Sequence, residues 1–473
     1  MLPHRFVPIV VSFSLGVALA ITTSPAAAQC ELHETQKLIA SNGAASDFFG
    51  YRVAISGNVV VVGASGRDCT SGANCGSAYV FRLSGANWVQ EAELIPPDLA
   101  PFDRFGGAVA VAAERIVVGA ADSDPNGVSS AGAAYVFRFD GTAWVQEAKL
   151  TAPDAAEFDR FGTSVAVQGD RVFVGAPSSG VDGSLYIFRR QGTAWMIEAK
   201  LLPPPCADAS FGWAVSVHGD RALVGGPSDF CQSNVAVLSP PGAAYVFRRE
   251  GTNWLQEAIL PSPPGCCSQS FGAAVSLSDS VAVVGHEFNN QSVASVCRRS
   301  DTMWSFEALL GPLVGNTPLL SVATDGDAAV VGGYIGPTHV FIHDGTNWPE
   351  VAQLTATDAP GGLVGYAVSM SADRVLVGAA GDDNAGGIDA GAAYVFNVPR
   401  DCNANNVADE CDIANGQSLD ANGNGIPDEC FLAEGVPTLS SWGMLVITLA
   451  LLSAGTIVLH RRGAKCSTTV PSR

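Results

Sequence analysis

Basic charge is scarce in this chain. Of 473 residues only 25 are Lys or Arg, against 45 Asp or Glu, and charged residues of both signs make up 15%. Arg5 and the group Arg461, Arg462, Lys465 and Arg473 sit in end segments that hold no acid, so the body between them is more acidic than the whole. Phosphate contacts need clustered Lys and Arg, so no nucleic-acid partner is expected. An acidic body favours solubility and divalent-cation binding instead. Signatures of catalysis are also missing. Neither G-x-S-x-G nor H-E-x-x-H occurs, and the seven His are scattered, with His218 at an exposed hairpin corner. The 12 Cys form no C-x-x-C pair, which argues against structural zinc.

Glycine is plentiful, at 52 residues, beside 47% hydrophobic content. High glycine with few charges suits short strands and tight turns rather than disorder. One pattern is written seven times. The clearest copy, 103–153, reads DRFGGAVAVAAERIVVGAADSDPNGVSSAGAAYVFRFDGTAWVQEAKLTAP. Others start at Phe49, Phe161, Phe211 and Phe271, and worn copies lie around Leu319 and Val364. Each holds four strand-like runs, which in the third copy are Thr163–Val167, Arg171–Gly175, Ser184–Arg189 and Trp195–Leu201. Corners such as Gly57-Asn58, Gly169-Asp170 and Gly219-Asp220 carry hairpin-turn chemistry. In the fourth run Trp144, Gln146, Ala148 and Leu150 alternate with Val145, Glu147 and Lys149, which predicts an outer strand covered on one face.

The last copy stops at Tyr394-Val395-Phe396 without its W-x-x-E-A-x-L clause, while Thr35-Gln36-Lys37-Leu38 matches that clause before any copy has begun. A repeat out of phase with its own chain predicts a closed ring in which the N-terminal strand completes the last blade and covers its edge. The expectation is all-β: a seven-bladed β-propeller over 29–400, followed by a short spacer and one C-terminal transmembrane helix. A β-solenoid and an eight-bladed ring are the alternatives. Asp103-Arg104 and Asp159-Arg160 recur at one repeat position, which predicts a structural pair. Trp213 stands where other copies have Gly, Thr or Ala and is expected to fill core.

Phe-Gly followed later by Gly-Ala or Gly-Pro, clear in copies one to four and worn in the last three, where Pro318-Leu319 and Val364-Gly365 replace Phe-Gly in the sixth and seventh, resembles the FG-GAP repeat of the integrin α-chain propeller. Integrin-like blades carry an acidic calcium loop, and by that resemblance Asp122, Asp124 and Asn126 of the second blade form a partial cation set. After the ring, residues 401–411 and 420–430 both read D-x-N-x-N-x-[VI]-x-D-E-C. Side-chain oxygens at Asp401, Asn403, Asn405, Asp409 and Asp412, and at Asp420, Asn422, Asn424 and Asp428, are spaced as Ca²⁺ requires. These loops resemble dockerin and thrombospondin type 3 calcium loops. The competing reading of 401–431 is a polar, disulfide-linked spacer.

Aligning the last copy on the second brings Cys30 and Cys402 together, so a Cys30–Cys402 disulfide is one expectation and Cys402–Cys411 the other. Cys69–Cys75 and Cys206–Cys231 are further candidate pairs, and Cys297 could meet Cys266 or Cys267. Residues 1–28 read as a secretory signal with an Ala26-Ala27-Ala28 cleavage site, a retained anchor being the alternative. Near the other end Val436, Pro437, Thr438, Leu439, Trp442 and Gly443 resemble an IPTL-type sorting signal. An apolar run and Arg461-Arg462 follow within 436–463, and a short cytoplasmic tail, 464–473, ends the chain. That resemblance implies a sorting protease as partner and a cell-surface or extracellular destination; a plain membrane anchor is the alternative. The function expected is a non-catalytic binding or adhesion module that takes a protein or glycan on its loops. A surface-coat protein without a discrete ligand and an enzyme with a site on the propeller face are the other classes.

Overall fold

Each repeat folds as a four-stranded antiparallel sheet. In the first blade the strands are Phe49–Ser56, Val59–Ala64, Ser77–Ser84 and Asn87–Leu94, paired in chain order. In the third they are Ser164–Gln168, Arg171–Ala176, Ser184–Gln191 and Ala194–Leu201, within two residues of the expected runs. The corners turn as their residues predict, with Gly57, Gly169 and Gly219 at φ of +56°, +58° and +61°. The structure, a computed structural model, describes residues 31–204, 210–228, 242–263, 268–288, 291–311, 320–333, 336–358, 365–402, 405–421, 427–428 and 430.

Seven such sheets form. Their first strands touch in cyclic order, and Ala367–Ser371 of the seventh lies against Phe49–Ser56 of the first, so the ring closes. The chain is an all-β, seven-bladed propeller. The expected transmembrane helix falls outside the described residues, among which no helix is long and apolar enough to cross a membrane.

The Phe-Gly pair builds both the blade and the joint between blades. Phe105 is fully buried and meets Tyr135 and Phe137 edge-on, with centroids 5.4 and 6.1 Å apart. Gly106, at φ +91°, packs against the previous blade, where a Cβ on Gly63 would stand 2.1 Å from the Gly106 carbonyl oxygen. Gly119 meets Gly162 in the same way, and Gly378 meets Gly50 at the closure. The glycine of Gly-Ala or Gly-Pro in one blade therefore rests on the glycine of Phe-Gly in the next.

One expectation about the outer strands is corrected. Strict alternation breaks at a β-bulge in which Gln146 pairs with Phe137 and Ala148 with Val136, leaving Glu147 between them. The bulge turns Glu147 towards Arg115 and Arg190, at 3.4 Å and 2.5 Å. Glu91, Glu198, Glu257 and Glu307 hold the same bulge position and pair with Arg82, Arg171, Arg221 and Arg298.

The displaced clause closes the ring. Gln36–Leu38 pairs antiparallel with Ala392–Asn397, matching Leu38 to Ala393. Lys37 reaches the buried Asp382 at 2.9 Å and Asp358 at 2.8 Å. It lies 5.3 Å from the Tyr394 ring centroid, as Lys149 and Lys200 lie near Tyr135 and Tyr186 in their own blades. The segment does more than the sequence suggests: Glu31–His33 adds a fifth, parallel strand to the sixth blade, along Glu350–Thr355.

The fifth blade departs from the repeat. Ser295 replaces the tyrosine, and His286 takes up the vacated space, 5.2 Å from Phe271 and with Nε2 2.7 Å from Ser295 Oγ. Burial pulls the His286 imidazole from 6.5 down to about 4. The unfolded imidazole takes its proton near 6.5 and the folded one only near 4. Stability from this group is therefore complete above about pH 7 and is lost as the pH falls towards about 4, by about 3 kcal/mol in all. His286→Gln is expected to flatten that part of the stability–pH curve, measured by urea unfolding. A variant curve parallel to the parent's would count against it.

Candidate binding site

Described residues that precede first strands or follow second strands, among them Phe48, Ser65, Arg104, Asp122, Arg160 and Pro177, meet at one end of the ring. There they enclose a cavity of about 610 Å³ whose walls include Val109, Val165, Val215, Val275, Val322 and Val368 of the inner strands. Its rim carries what the blades do not share. The residue before Phe-Gly takes a left-handed conformation in five blades: Phe48, Arg104, Arg160, Ser210 and Ser270, with φ between +50° and +57°. The turn is fixed, as in the bond from Gly107 N–H to Arg104 O at 3.0 Å, while the side chain on it changes from blade to blade.

The recurring Asp-Arg pairs thus divide, which corrects their reading as a structural unit. Asp103 and Asp159 are buried and accept the N–H groups of Ala100 and Ala156, each at 2.9 Å. Arg104 and Arg160 face away from them into the mouth, with side chains 62% and 54% exposed. Trp213 is corrected too: it is 43% exposed and lines the same mouth rather than filling core. Sequence reasoning missed Arg52, whose guanidinium lies 4.6 Å from the Tyr51 ring centroid and 5.6 Å from that of Tyr366. Its signal, a charge at an inner-strand position, is weak without the neighbouring blade. Burial first, and then Tyr51, push the Tyr366 phenol up to about 12.

Of the second-blade cation set, Asp122 lies between two guanidiniums, 3.5 Å from Arg104 Nη1 and 4.0 Å from Arg160 Nε. Asp124 Oδ1 accepts the Ser130 N–H at 2.7 Å, and Asn126 takes φ +57° within the single turn Pro125–Gly127. Asp124 and Asn126 serve their own loop, and Asp122 serves the neighbouring arginines.

The spacer after the ring gathers acids. Asp401 accepts the N–H groups of Asn405 and Asn406 at 3.1 and 2.9 Å, and Asn405 donates to Asp412 at 2.8 Å. The short helix Asp409–Ala414 buries Asp409 and Asp412. Asp409 Oδ1 accepts the Cys402 N–H at 2.9 Å, and its other oxygen is buried without a hydrogen-bond partner among the described residues. Burial, with Asp401 and Asp412 adding to it, pushes the Asp409 carboxyl up. An oxygen-only donor set with an orphaned buried oxygen fits Ca²⁺. In the second loop Asp428 accepts the Ala421 N–H at 3.2 Å, and Asp420 lies one residue before it in the chain. Asn403, Asn422 and Asn424 lie outside the described residues.

Cys69–Cys75 forms as expected, in the loop after the second strand of the first blade, with Cα atoms 5.7 Å apart. Cys402 pairs with Cys430, Cα atoms 5.6 Å apart, and with neither Cys30 nor Cys411. The bond ties the two acidic segments, 401–411 and 420–430, together. Cys411 is also disulfide-bonded, and Cys297 is free and buried. The cluster Cys402, Asp409 and Cys430 is accordingly a disulfide beside a carboxylate, not a thiolate metal site. Cys30, Cys206, Cys231, Cys266, Cys267 and the 436–443 motif lie outside the described residues.

Fold and repeat together define a seven-bladed propeller suited to a binding or structural role. The FG-GAP repeat family matches residues 32–81, 88–137, 144–188 and 348–396, so the chain carries FG-GAP repeats. Each matched segment ends in the third strand of a blade; three start within two residues of the preceding blade's fourth strand and the first starts just ahead of Gln36–Leu38, which is the same one-strand offset that closes the ring. No curated protein matches the chain. A solved structure described as "Structure of U3-55K" is similar over 76% of this chain and 98% of that one, at 10% identity and a TM-score of 0.49.

Proposed function

We propose that the chain is exported and acts outside the cell as a rigid, non-catalytic binding module, with the ring mouth as its contact face. The observation that supports this best is the mouth itself. Blade construction fixes the backbone there, yet the side chains differ between blades, and an exposed Trp and three Arg line one cavity. Two disulfides among the described residues suit an oxidising compartment, in keeping with the secretory signal of residues 1–28. In this reading the sorting motif from Val436 to Gly443 is presented to a membrane protease, after which the protein is displayed at the surface. The mature chain should bind selected components of an extracellular-matrix or glycan array, and an Arg104→Gln, Trp213→Ala double variant should lose that binding. An ordered protein lattice with no ligand on any array would favour a coat protein, and turnover in a hydrolase screen would favour an enzyme.

Calcium belongs to the same proposal, held by Asp401, Asn405, Asp409 and Asp412 in the first loop and by Asp420 and Asp428 in the second, with Asn403, Asn422 and Asn424 completing the sets. The ion would supply the charge that these crowded carboxylates lack. Free calcium at about a hundred times Kd is expected to stabilise the spacer by about 3 kcal/mol. Asp409→Asn keeps the bond from Cys402 and should remove that gain. Identical melting curves with and without chelator would dispose of the calcium reading.

A further inference from the structure

We propose that the ring mouth takes a carboxylated sugar, a uronate or sialate residue of a larger glycan; this rests on the binding-module reading above. The charge of the mouth runs against that of the molecule. The chain carries a net −20, yet among the described residues the cavity is lined by three arginines, Arg52, Arg104 and Arg160, and by one acid, Asp122. Asp122 does not exhaust its partners. At 3.5 and 4.0 Å its contacts to Arg104 and Arg160 are long for hydrogen bonds, and each guanidinium offers five N–H donors. Two exposed guanidiniums flanking one carboxylate leave a place for a second carboxylate to bind, in the geometry that arginine favours.

Blade construction does not require these arginines. Serine occupies the same left-handed turn at Ser210 and Ser270, and phenylalanine at Phe48. A non-glycine residue there carries backbone strain, and the fourth and fifth blades meet the same strain without a charge. The rest of the lining decides between a sugar and a peptide. Trp213 presents an exposed aromatic ring, while Tyr51 and Tyr366 pair at 5.0 Å between centroids and hold the Arg52 guanidinium over them. A face such as that of Trp213 receives the apolar side of a saturated ring while arginines take its acid. An extended acidic peptide would bind best along a free strand edge. The inner strands here offer none, because each is paired in its sheet on one side and packed on its neighbours within the ring. The volume of about 610 Å³ lies in the range of small-ligand sites.

The test titrates the full mature protein with trigalacturonate and with sialyllactose, following Trp fluorescence and heat. Their neutral counterparts, galactotriose and lactose, and a hexaglutamate peptide are run beside them. At least one acidic sugar should bind, and whichever binds tighter identifies the source. Its neutral counterpart should be weaker by about tenfold or more, and Arg104→Gln with Arg160→Gln should weaken binding by about a hundredfold. Trp213→Ala should weaken the acidic sugar and leave hexaglutamate unchanged, and a matched melting temperature would show each variant folded. Equal binding of the neutral sugar, equal or tighter binding of hexaglutamate, or an acidic sugar that ignores both arginine changes would overturn the proposal. Matrix or glycan-array binding that survives the arginine variants would sink this inference and leave the module reading standing. No array binding at all would sink both.

Discussion

Gly63→Ala should destabilise the ring by more than about 4 kcal/mol, whereas Gly57→Ala in the same blade should cost about 1 kcal/mol. The two glycines are constrained for different reasons. Gly57 sits at a hairpin corner with φ +56° and nothing within 4 Å of a Cβ, so alanine meets only backbone strain there. Gly63 does not have a positive φ, but its Cβ would stand 2.1 Å from the Gly106 carbonyl oxygen and 3.0 Å from the carbonyl carbon. The obstacle is backbone, held by the bonds from Gly106 N–H to Gly119 O and from Gly107 N–H to Arg104 O, so it cannot turn aside as a side chain would. Relief requires the first and second blades to move apart, and a closed ring transmits that movement to every joint. Urea unfolding of the two variants, with yield of folded protein as a second readout, measures the contrast. Similar losses for both would mean that the joints do not depend on this contact.

The same comparison shows why some of the molecule was legible in the sequence. Strands, corners and blade number follow from local alternation and turn chemistry, which seven copies repeat and so reinforce. The Phe-Gly and Gly-Ala elements could be read as a signature, but their purpose could not, because the two glycines that touch belong to different copies. Glu147 shows a second limit. A bulge changes which face a residue occupies without changing the spacing of the letters, so alternation places Glu147 on the wrong side. The mouth shows a third. Recurrence made Asp103-Arg104 look like one unit, but a left-handed turn separates the side chains, leaving the Asp to cap a loop and the Arg to face the cavity. Blade alignment points Cys402 to Cys30 and the spacing within its own motif points it to Cys411, whereas it pairs with Cys430 of the second motif, beyond the short helix Asp409–Ala414 that has no counterpart in the repeat.

Removing residues 29–38 should make the protein associate beyond the state of the intact chain. Without them Ala392–Asn397 becomes an unpaired edge beside a buried core, the condition that invites strand exchange between chains. The loss is larger than three ladder pairs. Thr35 N–H and Oγ1–H both donate to Val395 O, at 2.7 and 2.9 Å, and Gln36 exchanges two bonds with the Trp88 backbone of the first blade, at 2.7 and 2.8 Å. Leu38 is buried among Phe49, Tyr79 and Val395. One short segment, with its two strands Glu31–His33 and Gln36–Leu38, therefore joins the sixth, seventh and first blades. Lys37→Met isolates the ionic part of this closure. It leaves Asp382 buried with only the Tyr394 hydroxyl, and with Lys37 partly solvated and Asp358 half exposed the expected cost is about 2 kcal/mol, below that of a fully buried pair. Light scattering coupled to gel filtration should show the deleted protein as larger species than the intact chain, and a synthetic peptide of residues 29–40 added in trans should restore the intact protein's size by occupying the vacant edge. A deleted protein that keeps the intact chain's size and melting temperature would show that the seventh blade is stable with three strands, and that the displaced clause does not hold the ring closed.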